Sequence, residues 1–187
     1  MKKTMIIVAL FWLCLAFQPL GAEKTESGDR QLSFSIPQHG ELILSVPGSW
    51  KQSAGRPMGI FPTIVFSPPK GDAFEVSITP LWSPKNDPTF NRPEKVKNMI
   101  ESDLRSMLSQ AVEKDAKVQE FAGISGKGCY FLLTDKAPKP GEHPYAMRAG
   151  IGVGDLLLSV TILSRSKNSE GITATIKALQ EAWQRYK

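Results

Sequence analysis

The last third of the chain, from Tyr145 to Tyr186, constrains the fold most strongly because it predicts a β-hairpin followed by one amphipathic helix. Two apolar-rich runs, 145–153 and 156–163, flank Gly154-Asp155. Glycine adopts the positive φ that a tight hairpin turn requires, so this pair predicts antiparallel strands. From Ser169 onward, apolar residues recur at steps of four and three, on one face of a predicted helix. These residues are Ile172, Ile176, Leu179, Trp183 and Tyr186.

Upstream, short alternating or apolar runs between turn-forming residues predict further strands. These runs are 31–36, 41–46, 63–67, 73–79, 118–121 and 129–133. Residues 51–62 contain Gly55, Pro57, Gly59 and Pro62 and therefore predict a loop. Both faces of 129–133 are apolar, which predicts a central position in the sheet.

A second helix is predicted after Asn91, which forms a capping-box pattern with Glu94. Its apolar face continues to Val112. The segment before it, 80–93, holds four prolines and predicts a semi-rigid surface loop. Short connections between neighbouring strands favour antiparallel pairing, so the expected fold class is α+β, an antiparallel β-sheet packed between α-helices.

Residues 1–22 have the pattern of a signal peptide, with Lys2 and Lys3 before an uncharged run from Met5 to Phe17. This run is shorter than the roughly 20 apolar residues that span a bilayer, and no later run approaches that length. The pattern predicts a periplasmic or secreted protein. We expect a flexible N-terminus over 23–30 and a single domain over 31–187.

The charge of the chain does not favour a nucleic-acid partner. Removing 1–22 removes two lysines and no acid, so the formal net charge falls from +5 to +3, with both signs scattered. Cys129 is then the one remaining cysteine, which excludes an intramolecular disulfide. Its apolar surroundings in sequence predict a buried, unreactive thiol.

The order of elements and several motifs resemble the PsbP-like superfamily of α/β/α sandwich proteins, which includes bacterial envelope proteins of the DcrB type. The resemblance is carried by Leu44-Ser-Val-Pro-Gly-Ser-Trp50, the long central helix, Gly154-Asp155-Leu-Leu-Leu-Ser-Val160 and the closing helix. It covers nearly all of the predicted mature chain. It implies the sandwich fold and a non-enzymatic accessory or binding role, without a cofactor and without catalytic residues common to the family.

No sequence motif predicts catalysis, and Gly150-Ile-Gly-Val-Gly154 precedes a strand where a phosphate-binding loop would precede a helix. Aromatic residues beside prolines in the predicted loops either close the ends of the sandwich or bind a partner. The candidate binding residues are Trp50, Phe61, Trp82, Phe90 and Tyr145.

The predicted function is therefore the binding of another envelope component through loops 80–93 and 135–145. One alternative is a metal-dependent or hydrolytic enzyme that uses two histidines and neighbouring carboxylates. These residues are His39, Glu41, Glu142 and His143. Another alternative is a carrier of a small apolar ligand held between sheet and helix.

Overall fold

A seven-stranded antiparallel sheet forms the centre of the computed structural model, which describes residues 28–85 and 87–186. Its strands are β3 (Lys51–Ala54), β4 (Ile64–Ser67), β5 (Phe74–Leu81), β6 (Gln119–Gly123), β7 (Gly126–Thr134), β8 (Tyr145–Val153) and β9 (Leu156–Ser164). Their spatial order is β3-β4-β5-β9-β8-β7-β6. Every pairing is antiparallel, which confirms the expectation from the short connections.

A smaller sheet has the order β1-β2-β10, with β1 over Asp29–Ser35, β2 over Glu41–Pro47 and β10 over Trp183–Arg185. Strand β1 begins at Asp29, so two residues of the segment predicted to be flexible belong to a strand. The Asp29 carboxylate also accepts a hydrogen bond of 2.6 Å from the Lys177 amine. The predicted signal peptide lies outside the described residues.

Two α-helices, α1 (Pro93–Met107) and α2 (Glu170–Gln180), pack on opposite faces of the large sheet. Side chains alternate between the two faces of a strand. On β8, Met147, Ala149 and Ile151 face the core shared with α2 and the small sheet. Gly150 faces α1, where an added Cβ would lie 2.9 Å from a methyl of Val96. The architecture is therefore α+β, with one helix on one face and a helix plus a small sheet on the other.

The predicted end of α1 is wrong. The helix ends at Met107, one 3₁₀ turn covers 108–110, and Val112 is 57% exposed. Ala111 forms a β-bridge with Asp135, and the Val112 amide donates to the Thr134 carbonyl. The apolar spacing continues beyond the helix, but the backbone there pairs with the end of β7.

The predicted capping box is also absent from the start of α1. Arg92 is the N-cap residue and makes no side-chain capping bond. The Asn91 side-chain amide donates to the carbonyls of Gly154 and Leu156, at 2.7 and 2.9 Å. Asn91 therefore joins the start of α1 to the β8–β9 turn, and Pro93, which has no amide hydrogen, occupies the first helical turn.

The final helix is shorter than predicted, because it ends at Gln180. Trp183 pairs with Ile43 in β10, which covers an edge of β2 that would otherwise present unpaired backbone groups. A step of four from Leu179 to Trp183 fits a helix, but backbone pairing with β2 decides the conformation. The start at Ser169 is confirmed, because its hydroxyl accepts from the Ile172 amide at 3.2 Å.

Two predictions about the sheet need correction. Lys51–Ala54, predicted to be loop, forms edge strand β3, whose four residues are all exposed and therefore lack an apolar alternation. Strand β7 is sixth of the seven, and β9 is central. The apolar residues of β7 face both layers because α1 covers one of its faces and Tyr130 and Leu132 pack against the other core. The hairpin at Gly154 is confirmed, with φ 62°.

Candidate functional site

The connection between β3 and β4, residues 55–63, forms a hairpin arm, which we call the arm. The Gly55 amide donates to the Thr63 carbonyl at 2.8 Å. Met58 and Phe61 exchange backbone hydrogen bonds of 3.0 and 3.1 Å across a two-residue tip. Gly59 at the tip has φ 64°, which glycine adopts without steric cost. The arm therefore extends the β3–β4 ladder and has a defined backbone.

Aromatic stacking fixes the arm, next to its tip, to the end of β5. The rings of Phe61 and Trp82 meet edge to face, with centroids 4.6 Å apart. The Trp82 ring also lies beside the His39 ring, with centroids 5.2 Å apart. Phe61 and Trp82 are half-buried. These three rings, which we call the aromatic cluster, join the large sheet to the β1–β2 turn.

A hydrogen-bond network holds His39 in place. Its Nδ1 atom donates to the Asp155 carboxylate at 2.8 Å. The Gln184 side-chain amide donates to the His39 carbonyl at 2.6 Å and to the same Asp155 carboxylate. The Asp155 amide returns a bond of 2.8 Å to the Gln184 side-chain oxygen. Three chain segments that are distant in sequence therefore meet at one end of the large sheet.

We call this the arm end. The strand registers place at the arm end the β1–β2 turn, the arm, the β5–α1 loop, the β6–β7 turn, the β8–β9 turn and the residues after β10. Of the six large apolar residues that are exposed in the described part of the chain, four lie there. They are Met58 (51% exposed), Ile60 (68% exposed), Ile124 and Tyr186. Apolar exposure is therefore concentrated at one end of the molecule.

The arm end also carries exposed basic side chains. Four exposed basic residues lie on the arm, the β5–α1 loop and the β6–β7 hairpin: Arg56, Lys85, Arg92 and Lys127. A cleft of about 200 Å³ between the start of α1 and the turns is lined by Arg92, Lys127 and Gly154, among others. Asp87 is bonded to Thr89 and to Lys95, which hold the pKa of its carboxyl well below the ordinary value. The arm end thus combines apolar tips with excess positive charge.

Cys129 lies beside a second cleft of about 210 Å³, below the ion pair between Lys97 and Glu120. The residue is 3% exposed, which confirms the predicted burial. Burial raises the pKa of its thiol to about 11, and the negative charge of Glu120 acts in the same direction. Little thiolate forms at neutral pH, so the thiol is a weak nucleophile.

The structure separates the five candidate binding residues. Trp82 and Phe61 come together in the aromatic cluster. Trp50 is 3% exposed and packs on Phe74 with ring centroids 4.9 Å apart, so it closes the core and does not form surface. Phe90 packs in the core beneath α1. Tyr145 begins β8 at the opposite end of the sheet, and loop 135–145 lies there with it.

The proposed histidine and carboxylate site does not assemble, because His39 and His143 lie at opposite ends of the large sheet. The nine residues of β8 separate the two ends, a distance of about 30 Å. His143 donates through Nε2 to the Asp72 carbonyl at 2.6 Å, far from Asp155. Within 28–85 and 87–186, no group of three His, Cys, Asp or Glu side chains is placed to hold a metal ion. Glu41 accepts instead from Arg185 at 3.1 Å.

The His39–Asp155 pair contains two parts of an acyl-transfer triad, but a triad also needs a nucleophile bonded to the second ring nitrogen. Among the hydrogen bonds of the described residues, none joins His39 to a serine, threonine or cysteine side chain. The ring faces Trp82 instead. Together with Gln184, the pair joins β10 to the β8–β9 turn.

Sequence reasoning missed Met58, Ile60, Asp155 and Gln184 as members of this site. A detectable signal existed for the first two, since large apolar residues alternate with glycine and proline in 55–62. Nothing in the local sequence around Asp155 or Gln184 indicated a contact with His39, because these contacts span 116 and 145 residues.

Comparison with known proteins gives no family. No family model and no curated protein matches the chain. A crystal structure from Bacteroides thetaiotaomicron VPI-5482, determined at 1.50 Å resolution, is similar with a TM-score of 0.44 and 11% identity. The match covers 86% of this chain and 50% of that one, so this chain spans about half of its length. In the described residues, no helix is long and apolar enough to cross a membrane.

Proposed function

We propose that this chain is a periplasmic or secreted, non-catalytic accessory protein that binds another envelope component through the arm end. The observation that carries the proposal is the arm itself. It exposes Met58 and Ile60 on a backbone that is held by three cross-arm hydrogen bonds and by the Phe61–Trp82 stack. Exposed large apolar side chains on an ordered support are typical of interaction sites.

We also propose that the fold is a PsbP-like α/β/α sandwich. Support comes from helices on both faces of an antiparallel sheet. The segment that carries most of the resemblance, 44–50, forms the end of β2 and a turn that places Trp50 in the core. The layer that contains α2 also contains the three-stranded sheet, whereas helices alone would form both outer layers of an α/β/α sandwich.

Of the two loops predicted to bind the partner, 80–93 and 135–145, the first lies at the arm end. Loop 80–93 contributes Trp82 to the aromatic cluster and lies beside the arm. Loop 135–145 lies at the other end of the sheet, so the two loops cannot contact one compact partner site together. Because Trp82 also packs against the core, replacing it would reduce stability as well as binding, and Ile60 is the better residue to test.

The test is photo-cross-linking in intact cells that produce the full chain. A photoreactive amino acid is placed at Ile60 or, as the matched control, at Val112, which is similarly exposed at the opposite end. We expect a defined adduct with an envelope component from position 60 and none from position 112. The same products from both positions, or none from either, would show that the arm end is not a binding surface.

The periplasmic or secreted location rests on residues 1–22. Fractionation of cells and N-terminal sequencing of the recovered protein test it. We expect a mature chain starting near Glu23 in the periplasm or medium. Recovery of the protein in the cytoplasm with Met1 retained would contradict this part of the proposal.

The competing enzyme and carrier functions lack a supporting observation of the same kind. His39 and His143 do not share a site, and elemental analysis of the purified protein checks for a stoichiometric metal. Pockets for typical small ligands measure roughly 300–1,000 Å³. The cleft near Met107, Leu133 and Ala146 holds only about 100 Å³. A cleft beside α1 holds about 380 Å³, but Lys97, Glu101, Arg105 and Lys117 line it, and an apolar ligand there would remove water from these charged groups. Native mass spectrometry tests for a retained ligand.

A further inference from the structure

The exposed apolar residues of the arm end are spread over separate turns. Met58 and Ile60 lie on the arm between β3 and β4, and Ile124 lies in the β6–β7 turn at the other side of the sheet. Five strand spacings separate these two connections, about 24 Å. Protein partners typically bury one contiguous apolar centre with a polar rim. Separate apolar side chains at the end of a sheet can instead insert one by one into a broad, fluid surface such as a lipid bilayer.

The charges of the arm end favour an anionic surface. Arg56 precedes the apolar tip of the arm, and Lys85 lies in the neighbouring β5–α1 loop. Asp87 pairs with Lys95 at 2.9 Å and Glu41 with Arg185 at 3.1 Å. Asp155 and exposed Glu94 also lie at this end, but the four exposed basic residues named above outnumber these two acids. Basic side chains beside the surface of an anionic membrane contribute attraction that falls off within a Debye length.

The arm is also ordered before it meets a partner. Its tip extends beyond Leu81, because the register Ile64↔Ile78 places Phe61 opposite the end of β5. Phe61 anchors the arm on Trp82, and the two Met58–Phe61 backbone bonds satisfy polar groups near the tip. Satisfied backbone groups matter at a lipid surface, because unpaired amides are costly to bury in hydrocarbon.

We infer that the arm end docks on an anionic lipid bilayer, with Met58 and Ile60 inserted between headgroups and Arg56 and Lys85 beside lipid phosphates. The inference rests on the proposed function and names its envelope component as the lipid surface itself. In this mode of binding, apolar side chains enter the headgroup region and basic residues remain at its surface. It is peripheral membrane binding and requires no membrane-spanning segment.

The decisive measurement reports on the arm alone. The protein is produced from the full sequence with its own leader, is recovered from the periplasm or medium, and carries either Ile60→Cys or Val112→Cys. Cys14→Ser is added so that Cys129 is the one native cysteine whether or not the leader is cleaved. Each new cysteine is labelled with the environment-sensitive dye NBD, and Cys129 is protected by burial. Vesicles of phosphatidylglycerol should shift the emission of the dye at position 60 to the blue and leave the dye at position 112 unchanged. Absence of a shift at position 60, or equal shifts at both positions, would overturn the inference.

Variants test the two contributions separately. Met58→Ser with Ile60→Ser should weaken binding to phosphatidylglycerol vesicles at least about tenfold, because two apolar side chains lose their burial. Arg56→Gln with Lys85→Gln should weaken it about tenfold at low salt and much less at high salt. Vesicles of phosphatidylcholine should bind weakly in all cases. Binding that is equal for both lipids and insensitive to the charge variant would contradict the anionic preference.

The outcomes separate this inference from the proposed function. If position 60 cross-links to a protein in cells and the dye at position 60 does not respond to vesicles, the arm end binds a protein and the lipid inference is wrong. If neither the cross-link nor the dye depends on position 60, both are wrong. If cross-linking at position 60 yields lipid adducts and the dye shifts, both stand.

Discussion

The Nδ1 atom of His39 lies 2.8 Å from the Oδ2 atom of Asp155, across 116 residues of sequence. This contact joins the turn of the small sheet to the central hairpin of the large one. The His39 imidazole is mostly buried against Trp82, whereas the Asp155 carboxylate is half exposed. A tertiary contact between two turns therefore stabilises the base on which the arm rests.

A double-mutant cycle measures this contact. We expect His39→Ala and Asp155→Ala each to lower the free energy of unfolding, with a coupling energy of about 0.5–1 kcal/mol between them. Urea denaturation of the four proteins gives the coupling. The pair Lys97→Ala and Glu120→Ala, an exposed ion pair, serves as the control and should couple more weakly. Strictly additive effects at His39 and Asp155 would contradict a direct interaction.

The tight contact between α1 and β8 gives a second prediction. A Cβ at Gly152 would lie 2.3 Å from the Asn91 carbonyl oxygen, a backbone atom with little freedom to move. We expect Gly152→Ala to lower the free energy of unfolding by about 2 kcal/mol or more. Gly28→Ala is the matched control, because nothing lies within 4 Å of its added Cβ. Urea midpoints at unchanged m value provide the measurement. Equal midpoints for the two variants would show that the helix start adapts easily.

Cys129 should be almost inert in the folded protein. Its pKa rises from an ordinary 9.0 to about 11, which reduces the thiolate fraction at neutral pH roughly a hundredfold. Burial limits access further. We expect iodoacetamide at pH 7 to modify Cys129 only after denaturant is added, as followed by intact mass. Rapid modification of the native protein would reopen the possibility of a reactive thiol.

The Glu113 carboxylate should contribute to the loss of stability in acid. Burial alone would raise the pKa of Glu113, but hydrogen bonds from the amide and hydroxyl of Thr134, each 2.8 Å, lower it on balance below its ordinary 4.5. A lowered pKa in the folded state stabilises the protein above pH 4.5, and this contribution is lost as pH falls through the folded value. Glu113→Gln should therefore lose less stability between about pH 5 and pH 3, by up to about 1 kcal/mol. Parallel pH profiles of the two proteins, measured by urea unfolding, would contradict the shift.

Much of the fold followed from local patterns. The β8–β9 hairpin could be predicted because Gly154 supplies a positive φ between two apolar runs. The start of α2 followed from the Ser169 cap. The ends of both helices could not be predicted, because the apolar spacing that continues to Val112 and Trp183 is equally compatible with the strand pairings that these regions make with distant segments.

The candidate site, like the fold, could be predicted only in part from local sequence. The local sequence predicted Trp82 and Phe61 as candidate binding residues, since Phe61 precedes Pro62 and Trp82 lies between Pro80 and Pro84 in predicted loops. It wrongly grouped them with Trp50, because no local pattern distinguishes a tryptophan that fills the core from one at the surface. It also joined His39 with His143, which strand direction places at opposite ends.

The sequence by itself determined the antiparallel α+β class, the two helical faces and the burial of Cys129, because periodicity, turn residues and apolar runs act over a few neighbouring residues. Tertiary structure alone decided the strand order, the conversion of 183–185 into an edge strand and the meeting of the arm, Trp82, His39 and Asp155. These features depend on which backbone edges and ring faces remain unpaired after the chain collapses. The groups that pair there come from distant parts of the chain, as His39 and Gln184 do across 145 residues.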